Sequence, residues 1–300
     1  MVQTERRIPA APFAILSGSA GWGVAFPDGA GMPGVKVLER GLTFETPWGL
    51  CGNWQVIELD GAITADGQGR VVLNVFSHGW LLDAIDRGVH RKVGWILQQA
   101  GARKVLADST CGSTSRFLME GDFIVPADII DLTQTVDSLA PGRFSHSYSG
   151  AQLFCPSMGA AVEQAARALW PAPGRVYGRD FKVVAAHAWG PRFKSPAEGR
   201  AYEVLGAHAL NQSIGAEATA MREIGACYAS ASYIVRNHID VDSSRSDRNL
   251  DRLHSELALA ASRISLRAIA GTTLSDECGC AALRAARPPG YAINAQGGGV

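Results

Sequence analysis

Charge is scarce in this chain. Only 19% of its 300 residues are Asp, Glu, Lys or Arg, and bases and acids balance at 28 each, for a formal net charge of zero. Without a basic excess there is no electrostatic footprint for nucleic acid or for an anionic membrane surface. No run of about 18 apolar residues occurs to span a membrane. The opening MVQTERRIPAAP carries charge but no apolar stretch of signal-peptide length. The expectation is a soluble cytoplasmic protein with a small-molecule ligand, no nucleic acid and no membrane partner. Also missing are G-x-G-x-x-G, a Walker loop and any internal repeat. The six cysteines, at positions 51, 111, 155, 227, 278 and 280, sit mostly singly among apolar or small neighbours, so they read as small hydrophobes and not as a disulfide framework. Cys278-Gly279-Cys280 is too short a spacing to form a zinc site alone, and no second pair is in view, so no metal is expected.

Apolar residues, by contrast, make up 47% of the chain, enough for a large core. β-rich runs alternate with helical periodicity without a break in composition, which predicts an α/β fold: a single domain with a central mixed twisted sheet flanked by helices. Its expected span is 13–285, after an N-terminal arm at 1–12 and before a disordered tail at 286–300. An apolar strand over 13–16 enters the turn Ser17-Gly18-Ser19-Ala20-Gly21. VKVLE and LTFET read as two strands separated by Arg40 and Gly41. The runs 55–59 and 70–76, joined by the turn in ITADGQG, predict a hairpin. Helices are expected over 88–100, ended by Gly101, over 157–170 with Ser157 as N-cap, and over 196–205, 216–224 and 249–270. Further strands are expected over 181–188, around Ala209 and over 226–235, and 134–152 reads as a long loop.

The most informative stretch is LADSTCGSTS at 106–115. An apolar strand that delivers Ser109, Thr110 and Ser113 to its carboxyl end offers hydroxyl donors to an anion or a sugar without a charge. The same residues also suit a simple turn.

Several separated segments resemble one family. CGSTSRFLMEGDFIVPADIIDLT, FCP at 154–156, GPRF at 190–193, GAHALNQSIGAEATAMREIGACYAS and the C-terminal CGC look like the trimeric purine nucleoside phosphorylases, and among them the 5′-methylthioadenosine phosphorylases. The resemblance implies phosphorolysis of the N-glycosidic bond of a purine nucleoside or a 5′-modified nucleoside such as 5′-methylthioadenosine. The products would be base and sugar 1-phosphate, with inorganic phosphate as co-substrate, no cofactor, and a homotrimer as the assembly.

Carried over position by position, the resemblance places Ser19, Ser77, His78, Ser109 and Thr110 at the phosphate. It places Gln212 and Ser213 beneath the sugar, Phe193 on the base, and Lys194 and Trp189 around the base pocket. His146 would reach the sugar's 5′ end from a neighbouring subunit. Arg236 falls where relatives have the Asp or Asn that contacts the purine N7 region, and Asn237 would recover that role by a one-residue shift. The departures are coherent. Ser77 replaces a phosphate-binding Arg, leaving Arg87 or Arg91 to supply the charge, and a guanidinium's bidentate hydrogen bonds are beyond a hydroxyl. Lys194 and Arg236 replace acidic or neutral groups, which suits an anionic or carbonyl-rich base unless both turn to solvent. Hydrolysis by water, or nucleoside binding without catalysis, are the alternatives. The CGC pair could be a disulfide, as the resemblance implies, or two reduced thiols.

Overall fold

The structure, a computed structural model, describes residues 7–77, 88–133, 139, 149–239, 246–275 and 277–283. The expected calls on His78, Arg87, His146, the 286–300 tail and most of the 134–152 loop lie outside the described residues. The elements in chain order are β1 (Phe13–Ser17), β2 (Val35–Thr46), β3 (Gly49–Leu59), β4 (Arg70–Phe76), α1 (Val89–Ala100), β5 (Lys104–Ser113), β6 (Phe123–Ile124), β7 (Pro126–Asp131), α2 (Pro156–Leu169), β8 (Val176–Tyr177), β9 (Val183–His187), α3 (Pro196–Val204), β10 (Ala209–Asn211), α4 (Ile214–Ile224), β11 (Cys227–Asn237) and α5 (Ser246–Gly271).

All strands join one mixed sheet in the order β2-β3-β4-β1-β5-β10-β9-β7, with β11 paired to β5 and to β6, and β8 on β6. The centre is parallel: β1 lies between β4 and β5, and β11 runs alongside β5. Central strands of this kind are covered on both faces, so they read as continuous apolar runs, and all five residues of β1 are buried. Their side chains alternate between two cores. Phe13 and Ile15 pack with Leu253, Leu257, Ala261 and Ile264 of α5 and with Val162 of α2. Ala14 and Leu16 pack with Val93, Ile96 and Leu97 of α1 and with Ala218 and Met221 of α4.

Two sequence expectations are corrected, and one alternative left open is decided. VKVLE and LTFET form one strand, because Gly41 takes φ +64 and the β2–β3 register shifts between Glu39 and Leu42. A bulge of this type absorbs an extra residue without ending the strand. Of the two readings of the hydroxyls after Ala107, the strand holds and the simple turn does not: they continue β5 to Ser113. Finally, α2 begins one residue earlier than expected, with Pro156 in its first turn and Cys155, not Ser157, at the N-cap. Elsewhere Gly101 terminates α1 with φ +72, and Ser195 and Glu198 form a reciprocal capping box on α3.

Candidate active site

Strand β5 changes neighbours along its length. It pairs with β1 only over Lys104–Ala107 and with β10 only at Gly112 and Ser113, leaving residues 108–111 without a strand on that edge. A split between neighbours at the carboxyl ends of parallel strands is where open α/β sheets form a ligand crevice. The backbone groups exposed by the split must find other partners. The N–H of Thr110 donates to Ser19 Oγ at 3.0 Å, and the carbonyl of Thr110 accepts from Asn211 Nδ2 at 3.0 Å. Asn211 Oδ1 in turn accepts from the backbone N–H groups of Ser213 and Ile214 at 2.8 and 2.7 Å, tying the start of α4 to the same point.

The turn after β1 is held by a buried carboxylate. Asp108 Oδ1 accepts from the N–H of Gly18 at 3.0 Å and of Gly21 at 3.3 Å. Burial pushes Asp108 up to about 6, against the opposing pull of those backbone donors. Gly18 is required here, since a Cβ would run into the Asp108 carbonyl. The turn thereby delivers the Ser19 hydroxyl to within 2.7 Å of Thr110 Oγ1.

These residues border a cavity of about 190 Å³, whose lining includes Ser19, Thr110, Gly112, Gln212, Phe193, Lys194, Arg236, His238 and His254. No Asp or Glu lines it among the described residues. Arg236 stacks its guanidinium over the Phe193 ring at 4.8 Å, a cation–π wall for the cavity. A register shift of β11 on β5 between Ile234 and Arg236 sets this geometry, pairing Arg236 with Gly112 and Asn237 with Ser113. Bulges next to sites commonly re-aim a side chain in this way. Lys194 folds back onto its own loop, with Nζ donating to the carbonyls of Trp189 at 2.6 Å and Arg192 at 3.1 Å. Burial, helped by neighbouring Arg192, lowers its pKa. Both long cations line the cavity, so the alternative in which both turn to solvent does not hold.

Two histidines were missed in the sequence. His238 packs its ring against Gly112, where a methyl group would collide with the imidazole, and its Nδ1 lies 3.2 Å from the Lys194 carbonyl. Burial, together with Arg236, holds it down at about 4, so it is neutral near pH 7. His254 Nδ1 lies 3.2 Å from Tyr233 Oη, and burial lowers its pKa as well. A signal for His254 existed: it is one helical turn beyond Leu250 on α5, and both line the cavity. No comparable signal marked His238, because its direction depends on the bulge before it.

Five expected site residues do not line this cavity. Ser109 Oγ, on the other side of β5 from Thr110, is bonded to Ser232 Oγ at 2.8 Å. Ser77 is buried and donates to Glu217 Oε1 at 3.0 Å. Ser213 directs its hydroxyl to Asn211 Oδ1 at 3.3 Å. Asn237 Oδ1 accepts from the N–H of Ile239 at 2.8 Å, forming a turn after β11, so the one-residue shift does not bring it into the cavity. Trp189 turns its ring against His187 and His90 beside a second, smaller cavity of about 40 Å³. Arg91, considered as a replacement cation, borders that second cavity too and stacks on Trp48 at 4.4 Å. Ser77 belongs instead to a buried cluster around Glu217, which also accepts from Tyr228 Oη at 2.7 Å. Burial pushes this carboxyl up to about 7.

The fold and this cavity define an open α/β protein with a crevice, walled by Arg236, Lys194 and Phe193, at the carboxyl ends of β1, β9, β10 and β11. The chain belongs to the Phosphorylase superfamily, whose family profile matches residues 69–271. It is 28% identical over 194 residues to a probable S-methyl-5′-thioinosine phosphorylase of Methanothermobacter thermautotrophicus, covering 64% of this chain and 62% of that one. It is 31% identical over 152 residues to the 6-oxopurine nucleoside phosphorylase of Pyrococcus furiosus, covering 48% and 55%. The matches thus span less than two thirds of these relatives' lengths. Among solved structures, a methylthioadenosine phosphorylase from Schistosoma mansoni in complex with adenine aligns with TM-score 0.69 at 19% identity, over 90% of this chain and 98% of that one. A methylthioadenosine phosphorylase from an antarctic soil metagenomic library aligns with TM-score 0.67 at 21% identity, over 85% of each. No helix of the described residues is long and apolar enough to cross a membrane.

Proposed function

We propose that this protein cleaves the N-glycosidic bond of a purine nucleoside or 5′-modified nucleoside with inorganic phosphate, as a cytoplasmic homotrimer, and that it prefers a 6-oxo base to a 6-amino base. The observation that carries the base preference is the composition of the cavity wall: Arg236 and Lys194 line it and no carboxylate does among the described residues, Glu120 and Glu198 acting on these cations from outside the lining. A guanidinium and an ammonium can only donate hydrogen bonds. They complement the O6 and N7 acceptors of a hypoxanthine-type base and repel the donor face of a 6-amino group. The names of the Methanothermobacter and Pyrococcus relatives specify thioinosine and 6-oxopurine, while those of the Nitrosopumilus relative and the structural neighbours specify methylthioadenosine, so the cavity wall alone carries the reading.

In phosphorolysis the C–N bond breaks ahead of full bond formation to phosphate, so positive charge builds on the sugar and negative charge on the departing base. Phe193 would stack on the base while Arg236 meets its growing negative charge. Gln212 suits the sugar, because its Oε1 is buried without a hydrogen-bond partner and can accept from a ribose hydroxyl. The joined hydroxyls of Ser19 and Thr110 would receive the phosphate, and the neighbouring His254 would be a further donor. His146 of an adjacent subunit would complete the 5′ end.

The test is turnover of inosine, 5′-methylthioinosine and 5′-methylthioadenosine with and without phosphate. Expected are an absolute phosphate requirement, a sugar 1-phosphate product, and kcat/KM at least about tenfold higher for the 6-oxo substrates, the equivalent of one charged hydrogen bond. Release of free sugar at an unchanged rate without phosphate would overturn phosphorolysis. Preference for the 6-amino substrate would overturn the role of Arg236 and Lys194.

A further inference from the structure

Four of the six cysteines, scattered in sequence, converge in space. Cys155 caps α2, Cys227 is the first residue of β11, and Cys278 and Cys280 come from the segment after α5. Their four Sγ atoms all lie within 4.8 Å of one another, and Cys155, Cys227 and Cys280 are buried. We propose that Cys155, Cys227, Cys278 and Cys280 form a structural tetrathiolate site for one Zn²⁺ that fastens the C-terminal segment to α2 and β11.

The geometry is close to what zinc needs. With Zn–S bonds of about 2.3 Å, a tetrahedron has S···S edges of about 3.8 Å. The sulfurs therefore need to move by little to meet an ion at their centre. Cys227 and Cys278 Sγ are 3.3 Å apart, and all the cysteines are free thiols. Four protein sulfurs leave no open position, which marks a structural and not a catalytic site.

The surroundings also match a thiolate cluster. Binding Zn²⁺ to four thiols forms four Zn–S bonds and releases four protons, leaving a local charge of minus two. A buried cation stands beside it: Lys104 Nζ lies 3.2 Å from Cys227 Sγ and 4.0 Å from Cys278 Sγ, and is also held by the Ser275 carbonyl at 2.6 Å. Burying an ammonium there is otherwise costly, and an anionic cluster compensates it. Further donors support individual sulfurs, as outer groups do around zinc. Gln152 Nε2 lies 3.6 Å from Cys280 Sγ, and Ser157 Oγ lies 3.2 Å from Cys155 Sγ. Cys155 also sits at a helix N-terminus, where the dipole favours a thiolate.

Position separates this site from the chemistry. Cys227 and Arg236 stand at opposite ends of β11, roughly 30 Å apart at the rise of an extended strand. The C-terminal segment is meanwhile tied to the body by Arg222 Nη1 to the Cys280 carbonyl at 2.8 Å and by Gln152 Nε2 to the Cys278 carbonyl at 2.9 Å. Zinc would lock that seam, independently of the proposed reaction.

The test begins with elemental analysis of the full chain purified without chelator. One zinc per chain is expected, falling to background in C155S and C278S. To keep the test independent of folding in these variants, wild-type protein stripped of metal is also titrated with Co²⁺. Tetrahedral ligand-field bands and thiolate-to-cobalt charge transfer should saturate at one equivalent, and Tm should fall on stripping and recover with Zn²⁺. An intact mass matching two disulfides, or reduced protein that shows no tetrahedral cobalt spectrum, would overturn the proposal. Loss of phosphorolysis alone would not bear on it.

Discussion

Glu217 gives this fold a pH-dependent weakness that can be worked out from its surroundings. Its carboxyl is buried, accepts from Ser77 at 3.0 Å and Tyr228 at 2.7 Å, and has His90 Nδ1 4.0 Å from Oε1. Burial raises it from 4.5 to about 7. A carboxyl with a folded pKa above its unfolded value binds more protons in the folded state between the two. Its contribution to stability is therefore present below the unfolded value and is lost as pH rises through about 7. At 1.36 kcal/mol per pH unit, the loss between pH 5 and 8.5 is about 2.5 kcal/mol. With a urea slope of about 3 kcal/mol/M, that moves the unfolding midpoint down by about 0.8 M. In Glu217→Gln the amide donates to Ser77 Oγ and accepts from Tyr228, mimicking the protonated acid without titrating. Urea unfolding of both proteins at pH 5 and 8.5 reads the effect, because His187 and His238, whose pKa values are also shifted, contribute equally to each, and Asp108 enters only through its smaller coupling to Glu217. Equal midpoint shifts in the two proteins would refute the reasoning.

Other consequences are direct. Arg236→Met should cut the 6-oxo over 6-amino preference by about tenfold in kcat/KM, the loss of one charged hydrogen bond of about 1.5 kcal/mol, measured with inosine and adenosine. Ser19→Ala removes the acceptor for the Thr110 N–H, and should raise the KM for phosphate about tenfold while leaving the nucleoside KM nearly unchanged. Gly112→Ala places a methyl group on the His238 ring. It should push that ring out of the cavity wall and raise the nucleoside KM in a protein that still unfolds cooperatively, and an unaltered KM would place His238 outside the binding site.

The local pattern of the chain determined much of this protein. The continuous apolar run at 13–16, the helical stripe through Leu253, Leu257 and Ile264, and the cap at Ser195 each depend on neighbours within a few residues. Short-range chemistry suffices to place such elements. The segments shared with nucleoside phosphorylases likewise pointed to the right family. What the sequence could not supply was direction. Ser109 and Thr110 are adjacent hydroxyls on one strand, yet the pleat sends only Thr110 to the cavity. Arg236 and Asn237 are adjacent too, and the shift of β11 against β5 decides which of them faces the cavity. Ser77 reads as a weakened phosphate site until Glu217, 140 residues away, takes its hydroxyl. Cys155 and Cys227 look like isolated apolar residues until the sheet brings them to Cys278 and Cys280. Pairing across strands and burial against distant helices are long-range relations, and only the folded chain fixes them.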